Sequence, residues 1–139
     1  MNYYSYSDLS VGMEESFQVK IEEDMLVKFQ EITGDVNPLH TDKRFAKEKG
    51  YQDRVVYGML TASFLSTLAG VYLPGEKSLI QSVETKFTKP VMIGDVLTVI
   101  GKIEELNDTV QQIVLKITIV NQNEEKVLRG KMRVGMLNE

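Results

Sequence analysis

The chain contains no cysteine and a single histidine, His40. Without thiols, disulfide staples, thiolate metal sites and a cysteine nucleophile are all excluded. One imidazole likewise excludes a multi-histidine zinc site within one chain, so no metal is expected. An excess of positive charge is also missing. The formal net charge is −4, which argues against nucleic acid as a partner, because its binders carry a basic face. Residues 1–8 lack the basic start and apolar run of a signal peptide, and a cytoplasmic location is expected. Repeats, low-complexity tracts and linkers are absent too. At 139 residues, 42% hydrophobic and 26% charged, the chain is expected to form one soluble globular domain over residues 1–139.

Charge is missing locally as well. The stretch from Val55 to Gly75 has none, and it is long enough to span a bilayer. Thr61, Ser63, Ser66, Thr67, two glycines, tyrosines at 57 and 72, and an end at Pro74-Gly75 weigh against spanning. The stretch instead predicts a helix from about Tyr57 to just before Pro74, apolar almost all round and therefore buried in protein, with no membrane partner.

Around that helix the periodicities are clear. Phe17 to Ile21 alternates as a half-buried strand. Asp24 is the expected cap of a helix through Met25, Leu26, Phe29 and Ile32 that stops near Thr33-Gly34. Thr41 or Asp42 caps a short charged helix, Lys43 to Lys49, ended by Gly50. Beyond Ser78, four strands are expected, at Leu79–Phe87, Val96–Leu106, Val110–Val120 and Val127–Val134, joined by turns at Asn107-Asp108 and Asn121 to Glu124. Ile113, Leu115, Ile117 and Ile119 share one face, while Arg129, Lys131 and Arg133 form an exposed stripe. Short turns between successive strands favour an antiparallel sheet, and the apolar helix needs that sheet as cover. The fold class is α+β, an antiparallel sheet wrapped around a central helix.

Chemistry is concentrated in Thr33-Gly34-Asp35-Val36-Asn37-Pro38-Leu39-His40. On a continuous helix, positions five apart point in different directions. Pro38 disfavours the helical conformation at Asn37, and Asn-Pro favours a turn. A sharp turn can therefore bring Asp35 and His40 into one pocket, where a carboxylate and an imidazole together take a proton from water and return one to carbon.

Phe29 to His40 with Ala46 following, Arg54 to Ser63, Leu73-Pro74-Gly75 and Phe87 to Asp95 together resemble the MaoC-like dehydratases, the (R)-specific enoyl-CoA hydratases. The resemblance runs along almost the whole chain. It implies a hot-dog fold, a homodimer or higher homo-oligomer, and an acyl-CoA thioester as substrate, with no separate cofactor. The implied reaction is reversible addition of water to a trans-2-enoyl-CoA, giving the (R)-3-hydroxyacyl-CoA. By the same resemblance Asp35 and His40 are the catalytic dyad and Gly58 the oxyanion donor, and Ser66 matches a polar position near the dyad. A glycine at the start of the apolar helix suits its role, because unpaired N–H groups there favour negative charge. Asn37, Tyr57 and Ser66 complete the candidate substrate-binding set, with Asn37 expected to tie the turn together through its amide. The family commonly has histidine where Tyr57 stands, a departure that either reshapes the acyl pocket, moves the chain to another enoyl or hydroxyacyl thioester, or marks a member that binds without turnover.

Two rival readings remain. A hot-dog acyl-CoA thioesterase usually carries an acidic residue on the central helix, and none lies between Val55 and Gly75. A non-catalytic acyl-CoA-binding module would bind without turnover.

Overall fold

The computed structural model describes residues 1–138. After a short 3₁₀ turn at Tyr6–Asp8 come strand β1 (Glu14–Lys20) and helices α1 (Glu23–Thr33), α2 (Pro38–Thr41), α3 (Lys43–Glu48) and α4 (Gly58–Thr67). Four strands follow: β2 (Ser78–Phe87), β3 (Val96–Asn107), β4 (Gln112–Val120) and β5 (Lys126–Met136). They form one antiparallel sheet in the order β1-β3-β4-β5-β2.

One face of the sheet packs on the helical layer because its strands alternate as the sequence requires. Ile113, Leu115, Ile117 and Ile119 of β4 are all buried, as are Leu128, Met132 and Val134 of β5. They share one core with Leu60, Leu65 and Leu68 from the helical layer. Burying each such leucine contributes about 1.5–3 kcal/mol. Arg129, Lys131 and Arg133 lie on the solvent side, as expected.

The helix beginning at Gly58 differs from expectation in two respects. It does not run evenly to Pro74. After Thr67 the chain widens into a π-helical turn over Leu68–Tyr72, closed by the Leu73 N–H on the Leu68 carbonyl at 2.8 Å. Nor is α4 buried all round: Met59, Ser63 and Ser66 lie exposed along one side, while Leu60, Thr61 and Leu65 face the core. Helical periodicity separates the two sets, and the sheet covers only one of them. No helix among the described residues is long and apolar enough to cross a membrane.

Helix α1 starts at Glu23 with Glu22 as its N-cap residue, not at Asp24. The start is set from outside the helix. Ile21 is clamped to the sheet connection through its N–H to Asp95 and its carbonyl to Gly94, so the chain turns immediately afterwards. Asp24 sits in the first turn and pairs with Lys28 at 3.1 Å. Gly34 ends α1 in the left-handed conformation, φ +74°, which glycine adopts without steric cost. That stop releases the chain into the segment that carries Asp35 and His40.

Candidate active site

The segment after Gly34 is a turn followed by one helical turn. Asp35 Oδ1 accepts the Asn37 N–H at 3.0 Å, and Asn37 Oδ1 accepts the Leu39 N–H at 3.0 Å. Asn37 is thereby the N-cap of α2, with Pro38 in the first position, where a missing N–H costs nothing. This short helix was not expected from the sequence, although Asn-Pro is itself a helix-start signal. Asn37 ties the turn together, as anticipated; its side chain is committed to that cap. Asp42 then caps α3 through its carboxylate, accepting from Arg44 and Phe45.

His40 stands at the end of α2. Its Nδ1 lies 2.6 Å from the Val55 carbonyl oxygen. A carbonyl only accepts, so Nδ1 carries the proton and Nε2 is the nitrogen left to act as a base. The backbone reinforces the contact: Val55 N–H donates to Leu39 O at 3.1 Å, and Val56 N–H to Val91 O at 2.9 Å. Residues 55–56 are thus pinned between α2 and the connection leading to β3, and this fixes where α4 begins.

A cavity of about 310 Å³ opens at this junction. His40, Val55, Val56, Gly58, Thr61 and Phe87 are on its wall. Lys89, also on the wall, is paired with Glu125. The lining is mainly apolar, with the His40 imidazole, the N-terminus of α4, Thr61, Thr88 and Lys89 as its polar features, which is the composition expected of a small-molecule site. Gly58 is packed tightly. A Cβ added there would stand 3.1 Å from the Phe87 ring.

Tyr57, at the N-cap position of α4, is only 2% exposed and is not on the cavity wall. Its hydroxyl donates to the Asp35 carbonyl at 2.6 Å, and its ring stacks on His40 with centroids 4.3 Å apart. Burial, and then the Asp35 charge, raise its pKa above the ordinary tyrosine value, while Arg54 opposes them.

Of the candidate residues, the structure brings His40 and Gly58 to one cavity and joins Asp35 and His40 through Tyr57. The Asp35 side chain is exposed on its turn, where it caps the Asn37 N–H, and unlike His40 it is not on the cavity wall, so the turn alone does not bring both side chains into one pocket. Ser66 is not brought in: it lies two turns beyond Gly58 on the exposed side of α4 and does not line the cavity. Thr61 was not anticipated. It is buried, belongs to a wall residue, and its Oγ1 is the one buried side-chain polar atom without a hydrogen-bond partner among the described residues. Nothing local in the sequence marks it out from other helical threonines.

A family model described as a MaoC like domain matches residues 9–125. The chain belongs to the MaoC-like family. Among curated MaoC-like relatives it is 37% identical over 101 residues to a 3-hydroxybutyryl-CoA dehydratase of Methylorubrum extorquens, covering 73% of this chain and 64% of that protein. A match of 32% identity to an (R)-specific enoyl-CoA hydratase of Rhodospirillum rubrum covers 67% of this chain and 65% of that one. The chain therefore spans just under two thirds of the length of these two relatives. Against the (R)-specific enoyl-CoA hydratase of Aeromonas caviae the match is 29% identical and nearly full length, 95% of this chain and 98% of that one. The fold agrees with an unliganded R-hydratase of Pseudomonas aeruginosa at a TM-score of 0.90 and 28% identity, over 96% of this chain and 86% of that one. The sheet around α4 is accordingly the hot-dog fold of the MaoC-like proteins.

Proposed function

We propose that this MaoC-like protein is a hydro-lyase that reversibly hydrates trans-2-enoyl-CoA to (R)-3-hydroxyacyl-CoA. The observation that carries the reading is the commitment of His40 Nδ1 to the Val55 carbonyl, on a cavity wall shared with the N-terminus of α4. A base with one fixed tautomer and a helix terminus facing the same space suit a reaction in which a proton moves while negative charge grows on an oxygen.

In the proposed reaction, the oxygen of a water held between Asp35 and His40 attacks C3 of the enoyl thioester. The dyad takes one proton from that water, and the electron pair of the C2–C3 double bond moves toward the thioester oxygen. The Gly58 N–H, at the positive end of α4, is the donor for that oxygen. Such a donor contributes about 3–4 kcal/mol to a transition state in a water-excluded site. The proton held by the dyad then passes to C2, completing the addition. Because one pair handles both transfers, water adds to one face. The two groups act as a coupled unit, and each step belongs to the pair.

A homodimer fits the same reading. Strand β2 is an edge of the sheet, paired only with β5, and it leaves Leu79, Ile80, Val83 and Phe87 exposed. Bare apolar edges invite pairing with another chain. Phe87 and the exposed side of α4 carrying Ser66 would be covered by such a partner.

The test is hydration of crotonyl-CoA in deuterium oxide, followed by chiral analysis and NMR of the product. The expected product is the (R)-alcohol with deuterium at C2 on the same face as the new hydroxyl. The (S)-alcohol, or label spread over both faces, would contradict the single-dyad reading.

A further inference from the structure

We infer that Tyr57 is the positioning residue of this site, holding Asp35 and His40 in one geometry without touching substrate. The inference rests on the hydratase reading above and assigns to Tyr57 a role other than shaping the acyl pocket.

Three contacts converge on this one side chain. Its hydroxyl donates to the main-chain carbonyl of Asp35 at 2.6 Å. Its ring lies 28° from parallel with the His40 imidazole, at a centroid distance of 4.3 Å. The ring also packs against Phe29 of α1 at 4.9 Å. Meanwhile the Tyr57 carbonyl accepts the Leu60 and Thr61 N–H groups that open α4. One residue therefore joins the helix before the turn, the turn itself, the imidazole, and the helix whose first N–H groups face the cavity.

The consequences follow from the chemistry of each contact. The Asp35 peptide is tethered from within the protein, so the carboxylate it carries is offered from a fixed backbone despite lying on an exposed turn. The imidazole is held by its Nδ1 hydrogen bond at one edge and by the phenol ring across its face, so it cannot rotate about the first contact alone. Because Tyr57 is 2% exposed and off the cavity wall, it acts on the reaction only through these neighbours. A histidine at the same place has a shorter side chain and would not reach the Asp35 carbonyl from the same backbone.

Removing the hydroxyl and removing the ring are separate tests. Tyr57→Phe keeps the stack and loses the tether. Its kcat should fall about tenfold, the rate equivalent of one net hydrogen bond, with KM within about twofold of wild type. Tyr57→Leu loses both contacts. Since His40 is the only histidine, its ring nitrogens give one unambiguous pair of signals in a ¹⁵N NMR spectrum. The Nδ1–H signal, slow to exchange in wild type and in Tyr57→Phe, should broaden or exchange with solvent in Tyr57→Leu. A wild type silent toward enoyl-CoA, with this NMR pattern intact, would overturn the hydratase reading and leave the tether standing. A His40 signal unmoved in Tyr57→Leu, or unchanged kcat in Tyr57→Phe, would overturn the positioning role.

Discussion

His40 donates its Nδ1 proton to the carbonyl of Val55, fifteen residues away in sequence, across 2.6 Å. The bond does two things at once: it fixes the tautomer, and it fastens α2 to the segment that launches α4. These roles separate by substitution. Asparagine at 40 can place an amide N–H where Nδ1 stands but has no basic nitrogen; alanine has neither. Enoyl-CoA hydration should fall by roughly 10²–10⁴ in both His40→Asn and His40→Ala. Only His40→Ala should also lose stability, by about 1 kcal/mol in a denaturant titration.

Gly58 is held against Phe87, and its replacement tests the oxyanion role. The added methyl of Gly58→Ala would meet the aromatic ring of Phe87 at 3.1 Å, a side-chain contact relieved by a shift of a few tenths of an ångström. Stability should therefore drop by no more than about 1 kcal/mol, at the low end of overpacking costs. Turnover should fall at least tenfold as the substrate carbonyl is kept from the helix terminus.

Thr61 buries a hydroxyl that has no hydrogen-bond partner among the described residues. Valine has the same shape without that hydroxyl, so Thr61→Val removes a desolvation cost and should raise stability by about 1 kcal/mol. A matched pair of urea denaturation curves checks this. A loss of stability of the same size would mean that the hydroxyl is satisfied in solution.

Alkaline pH provides a further test through the tyrosines. The hydroxyl of Tyr57 is held protonated by burial and by the Asp35 charge. Tyr6 is pushed up to about 12 by burial and by its hydrogen bond to Asp108. A raised folded value means that the native state keeps protons the unfolded chain has released. These groups therefore stabilise the fold fully below the ordinary tyrosine value, near 10, and the contribution is lost as pH climbs from there through the raised values. Melting temperature should decline more steeply above pH 10 in wild type than in Tyr6→Phe or Tyr57→Phe.

Much of this architecture was legible in the residues because local rules and tertiary packing agree. The isoleucine and leucine alternation of β4, the Asp42 cap and the Gly34 stop each follow from near neighbours. The misses have non-local or competing causes. Asp24 looks like a cap, but Ile21 is seized by the Asp95 and Gly94 backbone, which moves the helix start upstream. Asn37-Pro38 reads equally as a turn or as an N-cap with proline at the first helical position, and the second won. Ser66 shares its helix with Thr61, yet which of them faces the cavity depends on where the sheet lies. The dual contact of Tyr57 was hidden for the same reason, since it joins residues that only folding brings together.

In the proposed function Asp35 and His40 work as one hydration dyad. This pairing is tested most directly by following the enoyl-thioester ultraviolet absorbance of crotonyl-CoA with wild type and Asp35→Asn side by side. Asparagine can keep the Asn37 N–H contact while removing the charge. Wild type should consume the absorbance rapidly, and Asp35→Asn should do so at a rate lower by roughly 10²–10⁴. Equal rates for the two proteins would contradict the dyad.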